Sequence, residues 1–243
     1  KGNKIMRVLW LATCESFYDY VVSNSNFSTD SEGGWYTGLH QAIQLYDTEH
    51  TIELGIAFTC NKNIPDKTII NHCTRPKKES RLQRLIYLWG GYKKNKTPWR
   101  VRITQIIKDF KPDVIHFFGI ESQMAYYLLD LKTPCIINIL GILGPCYNAF
   151  FPINMNNYSV LIHNHSFKEL ILNNQIRFAY KTMGIRTIHE KKLLSHCKNL
   201  AGRTEWDRQI VNIFAPQAHY YVINEILRPI FYRSQKWKYQ QRT

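Results

Sequence analysis

Four short stretches of the 243-residue chain place chemically able side chains next to turns. His116 and Glu121 flank Phe117-Phe118-Gly119-Ile120, in and just after an apolar run that starts at Val114. A histidine at a strand end can donate a hydrogen bond or shuttle a proton. Inside a strand, a satisfied core histidine is the competing reading. Glu121 can touch a ligand, or it can simply stabilise the start of a helix. Gly33-Gly34 closes the polar stretch 13–33 and precedes a helical pattern. Glycine lets the backbone approach a ligand, and a helix N-terminus is worth roughly 0.3–1 kcal/mol to an anion. The other reading is a plain turn before a helix. Gly141 and Gly144, in Gly141-Ile142-Leu143-Gly144-Pro145, can line the floor of a cleft or make an ordinary turn. In Arg203-Thr204-Glu205-Trp206-Asp207-Arg208, Thr204 suits an N-cap, with Glu205 and Asp207 in the first helical turn. Arg203 can clamp a carboxylate or phosphate with two parallel N–H bonds. Arg203 and Arg208 can equally pair with neighbouring acids.

Other chemistries lack their residues. There is no G-x-G-x-x-G, no G-x-x-x-x-G-K-[ST] and no G-x-S-x-G, so dinucleotide, P-loop and hydrolase-elbow readings have no support. His163 and His165 are two apart and His189 and His196 seven apart, with no third ligand at zinc spacing. No metal and no cofactor are expected. The strongest compositional feature is a basic patch that includes Arg81, Arg84, Lys93, Lys94 and Lys96, interleaved with Trp89, Tyr92 and Trp99. It reads as a solvated charged face or as an amphipathic surface for an anionic membrane. No DNA- or RNA-binding signature accompanies it, so nucleic acid is not an expected partner.

These residues must be positioned by regular elements, and the apolar periodicity supplies them. Strands are expected at Ile5–Ala12, Ile52–Phe58, Lys67–Asn71, Val114–Phe118, Cys135–Leu140, Asn199–Gly202 and His219–Ile223. Helical spacing marks the stretch around Leu39–Tyr46, then 80–92, Trp99–Phe110, Ser122–Leu131, 166–196 with a break at Gly184, and Glu205–Phe214. Short apolar strands alternating with helices of ten to fifteen residues mean βαβ units. The expected fold is α/β, a Rossmann-like, mostly parallel twisted sheet with helices on both faces. In such sheets ligands bind beyond the carboxyl ends of the strands, where these turns lie.

Bulk composition agrees with a packed domain: 44% of residues are hydrophobic and 14% aromatic. Lys and Arg number 32 against 18 Asp and Glu, a formal charge of +14. That balance favours anionic partners such as phosphorylated molecules or acidic lipid headgroups. Six cysteines without a C-x-x-C pair indicate a reducing compartment. No run of 18 apolar residues occurs. A cytoplasmic protein is expected, with a peripheral location at the inner face of the membrane if the basic patch docks there.

Three groups of residues, in order, resemble the N-terminal domain of family 4 glycosyltransferases of the GT-B fold. They are Val8–Thr13, Gly33–Leu39 and Lys111–Gly119. Gly202–Arg208 and Asn224-Glu225-Ile226-Leu227-Arg228-Pro229-x-Phe231-Tyr232 resemble a bacterial subgroup. The resemblance implies a transferase that moves a sugar from a nucleotide-sugar donor to a glycan or lipid-linked acceptor, as in polysaccharide biosynthesis. It implies retention of configuration and no metal. Residues 1–228 would form the acceptor-side domain, and 229–243 a linker toward a donor-binding domain. Gly33 and Gly34 would reach the donor phosphates, and Gly141, Gly144, Arg203 and Glu205 would face the cleft. The family carries a second histidine where this chain has Phe118, so no catalytic residue transfers directly, and His116 and Glu121 remain the candidates. The family's two donor-binding glutamates, eight positions apart, have no counterpart here. The chain alone is therefore expected to be inactive. The competing expectation is a non-catalytic Rossmann-like module that binds phosphorylated or nucleotide ligands.

Overall fold

A computed structural model describes residues 5–12, 34–60, 73–74, 97–122, 124–125, 128, 131–155, 175–227, 229–236 and 238. In chain order they form β1 (Met6–Ala12), α1 (Gly34–Tyr46), β2 (Ile52–Cys60), β3 (Cys73–Thr74), α2 (Thr97–Phe110), β4 (Val114–Phe118) and β5 (Cys135–Asn138). Then follow α3 (Leu143–Asn148), α4 (Gln175–His196), β6 (Asn199–Gly202), α5 (Glu205–Phe214), β7 (His219–Val222) and α6 (Pro229–Arg233). The strands make one sheet in the order β3-β2-β1-β4-β5-β6-β7. Every pairing is parallel. The order runs outward from β1 in both directions, so the switch point lies between β1 and β4. This is the doubly wound, Rossmann-like arrangement.

Strand residues alternate between two cores, as a period of two requires. Leu9, Leu11, Ile115, Phe117, Ile137 and Leu200 pack against Ile103, Ile106 and Phe110 of α2, Leu193 and Leu194 of α4, and Ile210 and Val211 of α5. On the opposite face Trp10, Ala12, Ile56, Phe58 and Phe118 pack against Tyr36 of α1, with Leu39 and Ile43 beside them. Helices therefore cover both faces of the sheet. Each such side chain, fully buried, contributes about 1.5–3 kcal/mol.

Local signals fix the joints. Pro98 lies in the first turn of α2, where a missing N–H costs nothing. Lys111 ends that helix in a left-handed conformation, φ 50°, and Pro112 prevents its continuation. Asp113 then bonds the Arg7 amide through its carboxylate, 2.8 Å, and its own amide bonds the Arg7 carbonyl, 2.8 Å, locking β4 to β1. Asp47 closes α1 and accepts from the Thr51 amide and hydroxyl and from the Ile52 amide. Gly38 of α1 lies so close to residues 226–227 that a Cβ there would come within 2.5 Å of the Ile226 carbonyl oxygen.

Three expectations need correction or bounding. Within the helix expected over Ser122–Leu131, none of the described residues is α-helical. They make turns with Ser122→Gly119, Ala125→Ser122 and Leu131→Leu128 amide bonds. The Ser122 hydroxyl takes the Met124 amide, a local bond that competes with helix. Helix α4 runs through Gly184 without a break. The glycine there makes room for the Tyr147 ring, 3.0 Å from where a Cβ would be. The strand expected at Lys67–Asn71, the helix at 80–92 and residues 166–174 lie outside the described residues.

Candidate functional site

Beyond the carboxyl end of β4 the chain turns sharply at Gly119, whose φ of 97° suits glycine alone. Glu121 folds back over that turn, its Oε1 within 2.8 Å of where a Gly119 Cβ would stand. A larger residue at 119 would push the carboxylate away. From the other side α4 presents Arg186, His189 and Glu190. Together with Ile120, Ser122 and Leu193, these residues line a shallow crevice with Glu121. Its free volume is about that of a single water.

The crevice is dominated by charge held away from solvent. Arg186 Nη2 donates to the Glu121 carbonyl, 2.9 Å. Burial pushes the Glu121 carboxyl above its ordinary value; Arg186 pulls it down and Glu190 pushes it up. Glu190 is 3% exposed. Its carboxylate accepts from the Leu143 amide, 2.8 Å, and the Gly144 amide, 3.2 Å. Burial still raises it, against those two bonds and Arg186. The turn after β5 thus has two of its amides already satisfied by a carboxylate from α4.

His116 and Phe118 point to the α1 face of β4. The His116 ring lies 4.0 Å from Phe118, centre to centre, and edge-on to Trp10 at 6.4 Å. Its Nε2 bonds Asn138 Oδ1 at 3.2 Å, so Nε2 is the protonated nitrogen. Burial lowers His116 to about 4, against the opposing hydrogen bond, and the ring is neutral at physiological pH. His40 of α1 also meets Trp10 edge-on, at 6.5 Å, and burial lowers it too. Phe118 is 1% exposed between Trp10 and Tyr36, and carries apolar packing where the resembling family has a histidine.

The remaining candidates are scattered. Gly34 is the first residue of α1, and Gly33 lies outside the described residues. Gly141 has open space around its Cα, whereas Gly144 faces Glu190 and Thr187. Arg203 pairs with Glu225, and Glu205 pairs with Arg208 and Gln209, so both charges have internal partners. Thr204 is the N-cap of α5 in a reciprocal capping box with Asp207. Arg81, Arg84, Lys93, Lys94 and Lys96 lie outside the described residues. Among the described residues no group of three His, Cys, Asp or Glu side chains could hold a metal. No helix among them is long and apolar enough to cross a membrane.

The structure thus brings Glu121 together with three residues that sequence reasoning passed over. Arg186, Glu190 and Leu193 recur at four- and three-residue spacing on one helical face, and Leu193 is core. Charged residues in line with a core leucine are the signal that was available.

No protein-family model matches the chain, and no curated protein matches it either. Among solved structures, 91% of the chain is similar to 46% of the UDP-GlcNAc 2-epimerase of Methanocaldococcus jannaschii, at 11% identity and a TM-score of 0.42. Sucrose-phosphate synthase from Thermosynechococcus elongatus matches 89% of the chain over 47% of its own length, at 9% identity and a TM-score of 0.44. The Neisseria meningitidis UDP-GlcNAc 2-epimerase, bound to UDP-GlcNAc, matches 96% of the chain over 73% of its own, at 10% identity and a TM-score of 0.35. The chain spans about half the length of the first two.

Proposed function

We propose that this chain is the acceptor-side half of a GT-B-type glycosyltransferase. It would work with a nucleotide-sugar donor and a glycan or lipid-linked acceptor, with retention of configuration and without a metal. The observation that carries the reading is the cluster of half-buried Glu121, Arg186 and His189 with buried Glu190, placed beyond the carboxyl end of β4 beside the switch point. Ligands of doubly wound sheets bind at that position. The order of the motifs at Val8–Thr13, Gly33–Leu39, Lys111–Gly119 and Gly202–Arg208 supports the same reading. In it, the N-terminus of α1 at Gly33-Gly34 faces the donor phosphates, and the residues that grip the nucleotide belong to a second domain. His116, neutral and enclosed by Trp10 and Phe118, orients Asn138 rather than transferring a proton.

The test is a donor screen on the native gene product, with release of nucleoside diphosphate from a panel of nucleotide sugars as the readout. Transfer is expected with at least one donor and a lipid-linked or glycan acceptor. Arg186→Ala is expected to lower kcat/KM by about tenfold or more, the value of one charge-assisted hydrogen bond. Absence of release with every donor would sink the reading in favour of a binding module, and release indifferent to Arg186→Ala would remove this crevice as the site of the reaction.

A further inference from the structure

Two polar atoms in the crevice have no partner. Glu121 Oε2 and Arg186 Nε are both buried without a hydrogen bond in the protein, and both residues line the same crevice. Leaving a buried polar group unsatisfied costs about 1–3 kcal/mol, more when it is charged. Two such costs in residues that line one crevice are recoverable by an occupant that bonds both.

The chemistry of that occupant is constrained. Arg186 Nε can only donate, and an ionised Glu121 can only accept. A phosphate or carboxylate would satisfy the arginine but would meet the carboxylates of Glu121 and Glu190. A cation would suit the carboxylates but would meet the guanidinium. A hydroxyl serves both, since its O–H donates while its lone pairs accept. It serves equally when burial keeps Glu121 protonated, because the carboxyl then donates and the hydroxyl accepts. The free volume, about that of one water, admits the oxygen of a single hydroxyl, with the rest of the sugar outside the crevice.

We infer that this crevice is a subsite for a neutral sugar hydroxyl, which Glu121 Oε2 and Arg186 Nε hold between them. The inference rests on the transferase reading and narrows it: the part of the acceptor seated here is an uncharged polyol, not a phosphate. Ser122 and His189 border the position and give it the polar rim that fixes orientation in carbohydrate sites.

Isotope-labelled full chain, titrated with methyl glucoside, methyl mannoside and methyl galactoside, provides the test by amide chemical shifts. At least one glycoside is expected to bind with millimolar affinity and to move the Ser122 and His189 amides. Glu121→Ala and Arg186→Lys are each expected to weaken it by about tenfold, one lost hydrogen bond at a charged group. Glu121→Gln, which keeps a carbonyl acceptor, is expected to bind within about threefold of the parent. Inorganic phosphate is expected to leave both amides in place. The variant spectra report folding directly, and Glu121→Gln and Arg186→Lys preserve the size of the side chains. The inference falls if no glycoside moves these amides, which would leave a bound water as the occupant. It falls equally if the variants bind as the parent does, or if phosphate is preferred. No donor is present in this experiment. A chain that binds a glycoside while the native gene product transfers nothing overturns the transferase reading alone, and the converse overturns the subsite alone.

Discussion

His116 is kept neutral by its surroundings, and that has a signed consequence for stability. Its folded value of about 4 lies below the ordinary 6.5. Between those two values the unfolded chain binds the extra proton and the folded chain does not, so stability rises with pH across that window. On acidification the contribution is lost progressively from about pH 6.5 to about pH 4, a total on the order of 3 kcal/mol. Glu121 and Glu190, raised by burial, act in the opposite sense: their folded forms hold protons longer, and stability is lost as pH rises through their folded values. Urea unfolding at several pH values, compared between the parent and His116→Phe, isolates the histidine. The parent is expected to lose more stability than the variant on going from pH 7 to pH 4. Equal slopes would mean that the ring is solvated in the folded chain.

At the scale of elements, α5 shows how a few residues set a boundary. Thr204 accepts the Asp207 amide at 3.1 Å, and the Asp207 carboxylate takes the amides of Thr204 and Arg203, each at 3.0 Å. Thr204→Ala is expected to cost about 1 kcal/mol of unfolding free energy, measured by urea titration; a change indistinguishable from zero would show that the cap contributes nothing. Threonine followed three positions later by an acid is a sequence-level signal, and this helix was legible to the residue. Strands such as β4 were legible for a related reason, because apolar runs like Val114–Phe118 have little choice but burial on both faces, whereas the two-residue β3, Cys73–Thr74, has no such run and was not. The irregular turns after Glu121 were not legible. The apolar spacing of Met124, Ala125 and Leu128 is that of a helix, and nothing in it reveals that the Ser122 hydroxyl will capture the Met124 amide. The crevice was half legible. Glu121 stood out beside a turn, but Arg186, His189 and Glu190 looked like an ordinary charged helix until α4 was laid across the end of β4.

The whole molecule has a property that no single element carries. β1 and α1 come early in the chain, whereas residues 223–227 follow β7, four strands away from β1 at the far margin of the sheet. Yet the Ile226 carbonyl rests on Gly38, with no room for even a methyl group between them. The late segment therefore returns across the protein and buckles onto the early helix. Such a clasp is expected to couple the two segments, so that opening one loosens the other. Gly38→Val should unfasten it at a cost of about 1–3 kcal/mol. Hydrogen exchange is expected to show the amides of α1 and of residues 223–227 losing protection in step. If only one of the two segments exchanged faster, the ends would be independent. Synthesis on the ribosome gives the clasp a direction, since α1 must wait for nearly two hundred further residues before its neighbour arrives, and the early half of the fold is completed last.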